Sequence, residues 1–214
     1  AKEAGIDSQV FGRAFGEGLG LIGWTCDQFH GKAGNVPERL PLRVGCSDKT
    51  MAKGLRYGIG MAQGSNLART LSQTPPNIAT TTYMASQARK LARQTGLKCT
   101  VISGKQLETE KLTGLRVVGQ ASEHKPCLVR LEYMPKGKTK ATAGKPIVLV
   151  GKTMTYDTGG LSLKVGGGMV GMKRDKDGGC GVLGAMLNIA TVIKPNRRVV
   201  ALLSIAENSI SNNA

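Results

Sequence analysis

Two lysines and two aspartates lie close together in the chain, in a pattern that suits metal-assisted hydrolysis. Lys152, Asp157, Lys164 and Asp175 occupy a glycine-rich stretch, predicted to be a loop, that follows the apolar run Ile147–Val150. Aspartate oxygens are hard ligands for divalent cations, and a lysine can bind a metal ion as a neutral amine. A second lysine that keeps its charge can stabilise an oxyanion. Taken alone, the same residues also fit structural ion pairs on a solvated loop.

The surrounding pattern predicts an α/β fold with a mixed, largely parallel sheet flanked by helices. Short apolar or alternating runs predict strands at Leu40–Val44, Cys99–Ile102, Cys127–Tyr133, Ile147–Val150 and Val199–Ala206. Helical spacing predicts helices at Val10–Gln28, Lys49–Ser72, Thr81–Gln94, Gly104–Lys111 and Gly178–Ile193. The second helix stops before consecutive prolines, and Thr80 or Thr81 can cap the third.

The order of strand, helix and strand, which occurs from Cys99 to Tyr133 and again from Ile147 to Ala206, predicts parallel units in the sheet. The continuously apolar run Ile147–Val150 predicts a strand that is covered on both faces. Ligands of such sheets gather beyond the carboxyl ends of the strands. Lys152 and Asp157 follow one of these ends, and Glu207 and Asn208 follow the next, so the pattern predicts one polar crevice.

The composition excludes some classes of protein and leaves one alternative open. Among 214 residues, 40% are hydrophobic, and no apolar run approaches the length of a membrane span. The five cysteines are widely spaced, which is typical of thiols in a reducing compartment, and we expect a cytoplasmic protein. A net charge of +16 suits nucleic acid, a membrane surface or an acidic partner. The densest lysine cluster, Lys136, Lys138, Lys140 and Lys145, has no interleaved aromatic residues, so a solvated loop is favoured over a nucleic-acid site.

Two stretches resemble nucleotide-binding motifs, but each lacks a feature that the motif requires. Gly151-Lys152-Thr153 resembles the end of a P-loop, but Pro146 stands where that motif requires glycine. The stretch Gly166–Gly171 matches a dinucleotide fingerprint by letter without directly joining a strand to a helix. The sequence therefore does not support nucleotide binding.

The order and spacing of several blocks resemble the leucyl aminopeptidase family, the M17-type dinuclear metallopeptidases. The block from Val150 to Lys164 resembles the family's Val-Gly-Lys-x3-Phe-Asp-Ser-Gly-Gly-x-Ser-x-Lys, with Tyr156 and Thr158 in place of Phe and Ser. Asp175 follows at the family's interval in Met-Lys-Arg-Asp. Further blocks that resemble the family lie at Arg69–Thr81, Leu115–Tyr133 and Ala206-Glu207-Asn208.

The resemblance implies a role for each residue of the site. Lys152, Asp157 and Asp175 would be metal ligands, with Asp157 bridging two divalent ions, which would be zinc or manganese, with magnesium as a further candidate. Lys164 would be the catalytic lysine, and Met172 would line the pocket for the N-terminal side chain. The implied activity is removal of N-terminal residues, with a leucine-like preference, from peptide substrates by a homo-oligomer, a hexamer in the family.

The chain also departs from the family pattern. Lys176 and Asp177 replace the usual Met and small residue after Asp175, which alters the charge beside the metals. The family's Asn-Thr-Asp-Ala-Glu-Gly-Arg motif, with two further carboxylate ligands, is not present in the 214 residues. We therefore expect a longer protein, in which residues 1–35 are the closing helix of an N-terminal domain and its linker. Residues 36–214 would then be the first part of the catalytic domain.

Two other functions stay open from the sequence. One is a non-catalytic basic protein that binds nucleic acid through the Lys136–Lys145 loop, and the other is an inactive truncated relative of the family. Steeply salt-dependent DNA binding that survives Lys164→Ala would favour the first of these.

Overall fold

The computed structural model describes residues 5–26, 28–29, 41–140 and 142–212. The chain forms two compact units, Ala1–Asn66 and Leu67–Ala214. The predicted boundary between residues 35 and 36 lies outside the described residues, and it stays a prediction. No helix of the described residues is long and apolar enough to cross a membrane. The five cysteines all lie within the described residues and are free thiols.

The first unit contains helix α1, Ser8–Ile22, and the beginning of helix α2, Lys49–Gln73. The Asp7 carboxylate accepts hydrogen bonds from the backbone N–H groups of Gln9 and Val10, which fixes the start of α1. Helix α1 ends six residues before the predicted Gln28, since the chain leaves the helix after Ile22. The predicted strand at Leu40–Val44 is wrong within the described residues, because residues 41–48 form no regular structure.

Glycines allow the backbones of α1 and α2 to touch. A methyl group added to Gly16 would lie 2.2 Å from the Leu55 carbonyl oxygen, and one added to Gly58 would lie 2.1 Å from the Arg13 carbonyl oxygen. The Asn66 amide also donates to the Gly20 carbonyl oxygen at 2.9 Å. The glycines that lower helical propensity are therefore the residues through which the two helices pack.

The second unit is built on a four-stranded sheet. Its strands are β1 Lys98–Ser103, β2 Cys127–Tyr133, β3 Ile147–Asp157 and β4 Val199–Asn208, in the order β1-β2-β4-β3. The prediction of a mixed sheet flanked by helices is confirmed. Of the described strand pairs, however, only β3 and β4 are parallel, whereas β1–β2 and β2–β4 are antiparallel. The parallel expectation was correct only where a long helix joins two strands, because that crossover returns the chain in the same direction.

The helices of the second unit begin with α3, Thr81–Thr95. The Thr80 hydroxyl accepts from the Tyr83 N–H at its start, and Gly96 ends it with φ of 74°. The predicted helix Gly104–Lys111 is shorter, as α4 Gln106–Thr109, and a helix that was not predicted follows, α5 Thr113–Val118. A single 3-10 turn, Met172–Arg174, precedes α6, Asp177–Asn188, which continues as one π-helical segment, Ile189–Ile193.

The core of the second unit lies where α3 and α6 pack on the sheet. Fully buried apolar side chains come from both helices and from the central strands, among them Met84, Ala88, Leu183, Met186, Val129, Leu131, Leu203 and Ile205. Strand β2 alternates buried and half-buried residues, as expected for a strand with one face on the core. This core holds the ends of β3 and β4 in a fixed position.

Strand β3 differs most from its prediction. It continues seven residues beyond Val150 and therefore contains Lys152 and Asp157. It also lies at the edge of the described sheet, where Ile147, Val148 and Val150 are 44%, 49% and 70% exposed. The prediction that this segment is covered on both faces is wrong for the described residues. Helix α6 approaches β3 closely at Gly151, where an added methyl group would lie 2.7 Å from the Gly179 Cα atom.

Candidate metal centre

The carboxyl ends of β3 and β4 bring Asp157 and Asn208 together. The two residues are register partners in the parallel pair, after an irregularity between Met154 and Asp157. The Asn208 side-chain amide donates to Asp157 Oδ1 at 2.8 Å, and the Gly159 N–H donates to the same oxygen at 3.0 Å. These two hydrogen bonds fix the orientation of the Asp157 carboxylate at the edge of the sheet.

Lys164 faces Asp157 across the loop that follows β3. Its Nζ atom lies 2.5 Å from Asp157 Oδ2 and 3.1 Å from the Asp157 carbonyl oxygen. The same atom lies 3.3 Å from the Met172 sulfur. Burial alone would raise the pKa of Asp157, but the hydrogen bonds from Lys164, Gly159 and Asn208, with the Lys164 charge, hold it below its ordinary value. Asp157 is therefore an anion at neutral pH.

The loop between Asp157 and Lys164 turns tightly through two glycines. Gly159 and Gly160 have φ angles of 90° and 65°, which side-chain-bearing residues rarely adopt. Thr158 donates to the Asn208 carbonyl oxygen through both its N–H and its hydroxyl, each at 2.9 Å. The Lys164 N–H then donates to the Thr158 carbonyl oxygen at 2.9 Å, which closes the loop and returns Lys164 to the carboxylate.

Lys152 and Asp175 form a second pair beside the first. Lys152 Nζ lies 3.0 Å from Asp175 Oδ1, and the carboxylate side chain is only 18% exposed. The Met154 N–H donates to the Asp175 carbonyl oxygen at 3.3 Å, so β3 also holds the backbone of this aspartate. Lys164 links the two pairs, because its contact Met172 begins the 3-10 turn that leads to Asp175.

The donor set fits a divalent cation in part. Asp175 Oδ2 is buried and has no hydrogen-bond donor within the described residues, so it is an acceptor that a cation could satisfy. Lys152 fits a ligand role only as a neutral amine, since an ammonium has no lone pair. Within the described ranges no three His, Cys, Asp or Glu side chains come together. These residues could therefore offer two carboxylates and one amine to a cation, which is fewer than the roughly six or more ligands that Mg²⁺ or Ca²⁺ takes.

Lys176, which was expected to alter the charge beside the candidate metal site, is held away from solvent by the backbone. Its side chain is fully buried, and its Nζ atom donates to the backbone carbonyl oxygens of Ser72, Thr74 and Lys173. Burial lowers the pKa of this amine. The positive charge of Lys176 therefore contacts backbone oxygens at the end of α2 and in the 3-10 turn.

Asn208 contributes to the site but was not predicted as a site residue. Asn208 was placed at a strand end by its pattern, but only the parallel register shows that its amide contacts Asp157. The signal that could have identified it is its position directly after an apolar run, in the same relation to β4 as Asp157 to β3. All five residues predicted for the site lie in this region, as two ion pairs with Met172 between them.

Comparison with known protein families settles the family of the chain. Residues 66–214 match the catalytic domain of the cytosol aminopeptidase family, Peptidase M17. The chain belongs to the cytosol aminopeptidase family. Among its curated relatives, a protein named "probable cytosol aminopeptidase" from Acidobacterium capsulatum is 36% identical over 213 residues, which are 98% of this chain and 41% of that protein. Its namesake from Desulfovibrio desulfuricans is 44% identical over 153 residues, which are 72% of this chain and 30% of that protein.

Solved structures agree with this membership. The bottromycin maturation enzyme BotP, in complex with Mn, has a TM-score of 0.77 at 32% identity over 92% of this chain and 40% of its own. The leucine aminopeptidase of Caenorhabditis elegans has a TM-score of 0.77 at 30% identity over 94% of this chain and 40% of its own. The chain thus spans between 30% and 41% of the length of these relatives.

Proposed function

We propose that the chain is part of a metal-dependent aminopeptidase and carries half of its dinuclear site. Lys152, Asp157 and Asp175 would be metal ligands, with Asp157 shared between two ions. The ions would be manganese or zinc, with magnesium as a further candidate. The observation that carries the proposal is the buried Asp175 Oδ2, an anionic oxygen without a donor in the described residues, beside the oriented Asp157 carboxylate. A buried carboxylate oxygen without a partner is costly unless a cation completes it.

The residues of the chain have separate tasks in this proposal. When bound, the two divalent ions supply Lewis acidity and an activated water for hydrolysis. Lys164 carries a charge next to the carboxylate and can stabilise the oxyanion that develops on the peptide carbonyl. Met172 contacts that lysine, and it would line the pocket for the N-terminal side chain of the peptide. Asn208 and Gly159 hold Asp157 so that its oxygens do not have to reorient.

The finer features of the proposal come from the family. The substrates would be peptides with a free amino group and a leucine-like N-terminal residue, and the enzyme would be a cytoplasmic homohexamer. Residues 1–35 would close an N-terminal domain, and residues 36–214 would begin the catalytic domain. Two further carboxylate ligands and an arginine, which the family motif supplies, are not present in these 214 residues.

Hydrolysis of a chromogenic leucyl amide by the full-length gene product, with and without Mn²⁺ or Zn²⁺, tests the proposal. We expect metal-dependent turnover, and Lys164→Ala should lower kcat/KM about 100-fold, because it removes oxyanion stabilisation of about 3 kcal/mol. Lys173→Ala is the matched control, since it removes an equal charge from the neighbouring turn. Metal-loaded protein without hydrolysis, or a Lys164→Ala variant with full turnover, would contradict the proposal.

A further inference from the structure

Lys176 lies outside the two ion pairs and has an unusual environment for a lysine. This lysine is fully buried, and its ammonium donates to three backbone carbonyl oxygens. Two of the distances are 3.1 Å, to Ser72, and 3.0 Å, to Thr74, and the third acceptor is Lys173. We call these three oxygens the carbonyl cradle.

The cradle matches the charged form of the amine. An ammonium has three N–H donors and no acceptor, and the three carbonyl oxygens take one donor each. A neutral amine has only two donors, so it would leave one buried carbonyl oxygen unsatisfied. Oxygen atoms that converge on one buried point are also the donor set that proteins offer to small cations. The Lys176 ammonium therefore occupies the position that the three carbonyl oxygens would otherwise offer to a small free cation.

The cradle joins parts of the chain that are distant in sequence. Ser72 and Thr74 lie at the end of α2, more than 100 residues before Lys176, whereas Lys173 belongs to the 3-10 turn. Lys176 itself is the residue that precedes α6. Asp175 lies between the turn and Lys176, with its N–H on the Met172 carbonyl oxygen at 3.1 Å. The backbone on both sides of this aspartate is thus fixed through one ammonium group.

We propose that Lys176 is a positioning residue, an internal cation that holds the carbonyl cradle together and thereby fixes Asp175. The importance of the position of Asp175 for metal binding rests on the proposed function. The role of Lys176 as an internal cation does not rest on it, because Lys176 contacts only residues of this chain. Lys176 acts through the backbone of Asp175 and does not touch the substrate.

The first test compares two lysine substitutions in the metal-free chain. Lys176→Met keeps an unbranched side chain but removes all three donors, so we expect the melting temperature to fall by roughly 5 °C or more. The Asp175 N–H should also exchange its hydrogen at least about tenfold faster, because the turn opens more often. Lys173→Met is the matched control, since it removes an equal charge but only a side-chain contact of 3.4 Å to Gln73. It should shift the melting temperature by less than about 2 °C.

Chemical rescue distinguishes the effect of the Lys176 charge from the effect of the volume that its side chain fills. Lys176→Ala leaves room for a small amine, and n-propylammonium should restore most of the melting temperature and of the protection of the Asp175 N–H. The uncharged 1-propanol, of similar shape, should not. This experiment also decides the question if Lys176→Met does not fold, because Lys176→Ala can be refolded with either additive. Equal stability of Lys176→Met and Lys173→Met, or equal rescue by both additives, overturns the proposal.

Manganese binding distinguishes this proposal from the proposed function. If both hold, titration calorimetry should show Mn²⁺ affinity at least about tenfold lower for Lys176→Met than for Lys173→Met. A parent protein that binds no Mn²⁺, with the stability and rescue pattern intact, would overturn the proposed function and support the internal cation. Normal Mn²⁺ affinity in Lys176→Met would overturn the positioning of Asp175.

Discussion

At the scale of single residues, the candidate centre depends on hydrogen bonds that orient charged groups. Asp157 receives donors from Asn208, Gly159 and Lys164, so its carboxylate is held from three directions. Asp175 has one oxygen on Lys152 and the other without a donor in the described residues. The two aspartates therefore differ, since hydrogen bonds from the chain orient both oxygens of Asp157, whereas one oxygen of Asp175 has no donor in the described residues.

Replacing Asn208 tests how much the orientation of Asp157 matters. Asn208→Ala removes the 2.8 Å hydrogen bond to Asp157 Oδ1, and we expect Mn²⁺ affinity to fall about tenfold, as for other supporting partners of metal ligands. Titration calorimetry on the full-length protein measures this. Asn77→Ala, an exposed asparagine of the Pro-Pro-Asn turn, is the control, and equal affinities for the two variants would contradict the expectation.

The opposite end of β4 carries a buried ion pair with a predictable dependence on pH. Glu132 is 7% exposed and lies 2.6 Å from Arg198 Nε and 2.9 Å from an Arg130 nitrogen. Burial would raise the pKa of Glu132, but the hydrogen bond from Arg198 and the charges of both arginines hold it below the ordinary value of 4.5. A lowered folded-state pKa means that the carboxylate contributes stability above pH 4.5, which is lost as the pH falls below it toward the folded-state pKa.

Glu132→Gln should therefore lower the free energy of unfolding by about 2 kcal/mol at pH 7, and by less as the pH falls below 4.5. Urea unfolding at pH 7 and at a pH below 4.5 measures the difference in free energy of unfolding between the variant and the parent protein. Glu108→Gln, in a surface pair with Arg116 at 3.7 Å, should change the free energy by less than about 0.5 kcal/mol. A pH-independent loss in Glu132→Gln would mean that packing, and not charge, explains the contribution of this residue.

At the scale of elements, close packing of backbone explains several glycines that sequence patterns alone count against a helix. Helices α1 and α2 touch through Gly16 and Gly58, and β3 approaches α6 through Gly151. At each of these positions an added methyl group would lie less than 3 Å from another part of the backbone. Helical propensity therefore underestimates the stability of helices α1 and α2, because the contacts between the helices offset the cost of glycine.

A pair of glycine substitutions in this helix pair separates propensity from packing. Gly58→Ala should destabilise the protein by roughly 2 kcal/mol or more, because its methyl group would lie 2.1 Å from the Arg13 carbonyl oxygen. Gly18→Ala, in α1 with nothing within 4 Å of the added methyl group, should stabilise it by up to about 1 kcal/mol. Thermal unfolding of both variants gives the signs, and a stabilising Gly58→Ala would show that the helices can separate.

At the scale of the whole molecule, the net charge of +16 is the feature that the aminopeptidase proposal does not use. Lys136, Lys138, Lys140 and Lys145 are all exposed, and three of them lie before residue 141 in a segment without regular structure beyond turns. Exposed lysines without interleaved aromatic residues favour weak electrostatic contact with phosphates over sequence recognition.

We therefore expect DNA binding that is non-specific and steeply dependent on salt. Four phosphate contacts predict a fall in affinity of about 100-fold between 50 and 200 mM salt. Lys164→Ala should leave this binding unchanged, and replacement of the four cluster lysines by glutamine should abolish it, as measured by fluorescence anisotropy. Salt-insensitive or absent binding would count against a nucleic-acid function.

The sequence by itself determined the types and order of most elements and brought the residues of the candidate site to attention. Capping residues, consecutive prolines and apolar runs are local signals, so α2, α3, β2 and β4 were predicted close to their observed bounds. The spacing from Lys152 to Asp175 likewise identified the family that the comparison shows.

Only the tertiary structure decided which side chains meet. The contact of Asn208 with Asp157 depends on the parallel register of β3 and β4, and that of Lys176 with Ser72 joins residues 104 positions apart. The extension of β3 through Asp157 is stabilised by pairing with β4, so an apolar run cannot reveal it. Sequence patterns record the preferences of neighbouring residues, whereas hydrogen bonds between distant segments exist only once the chain has folded around its core.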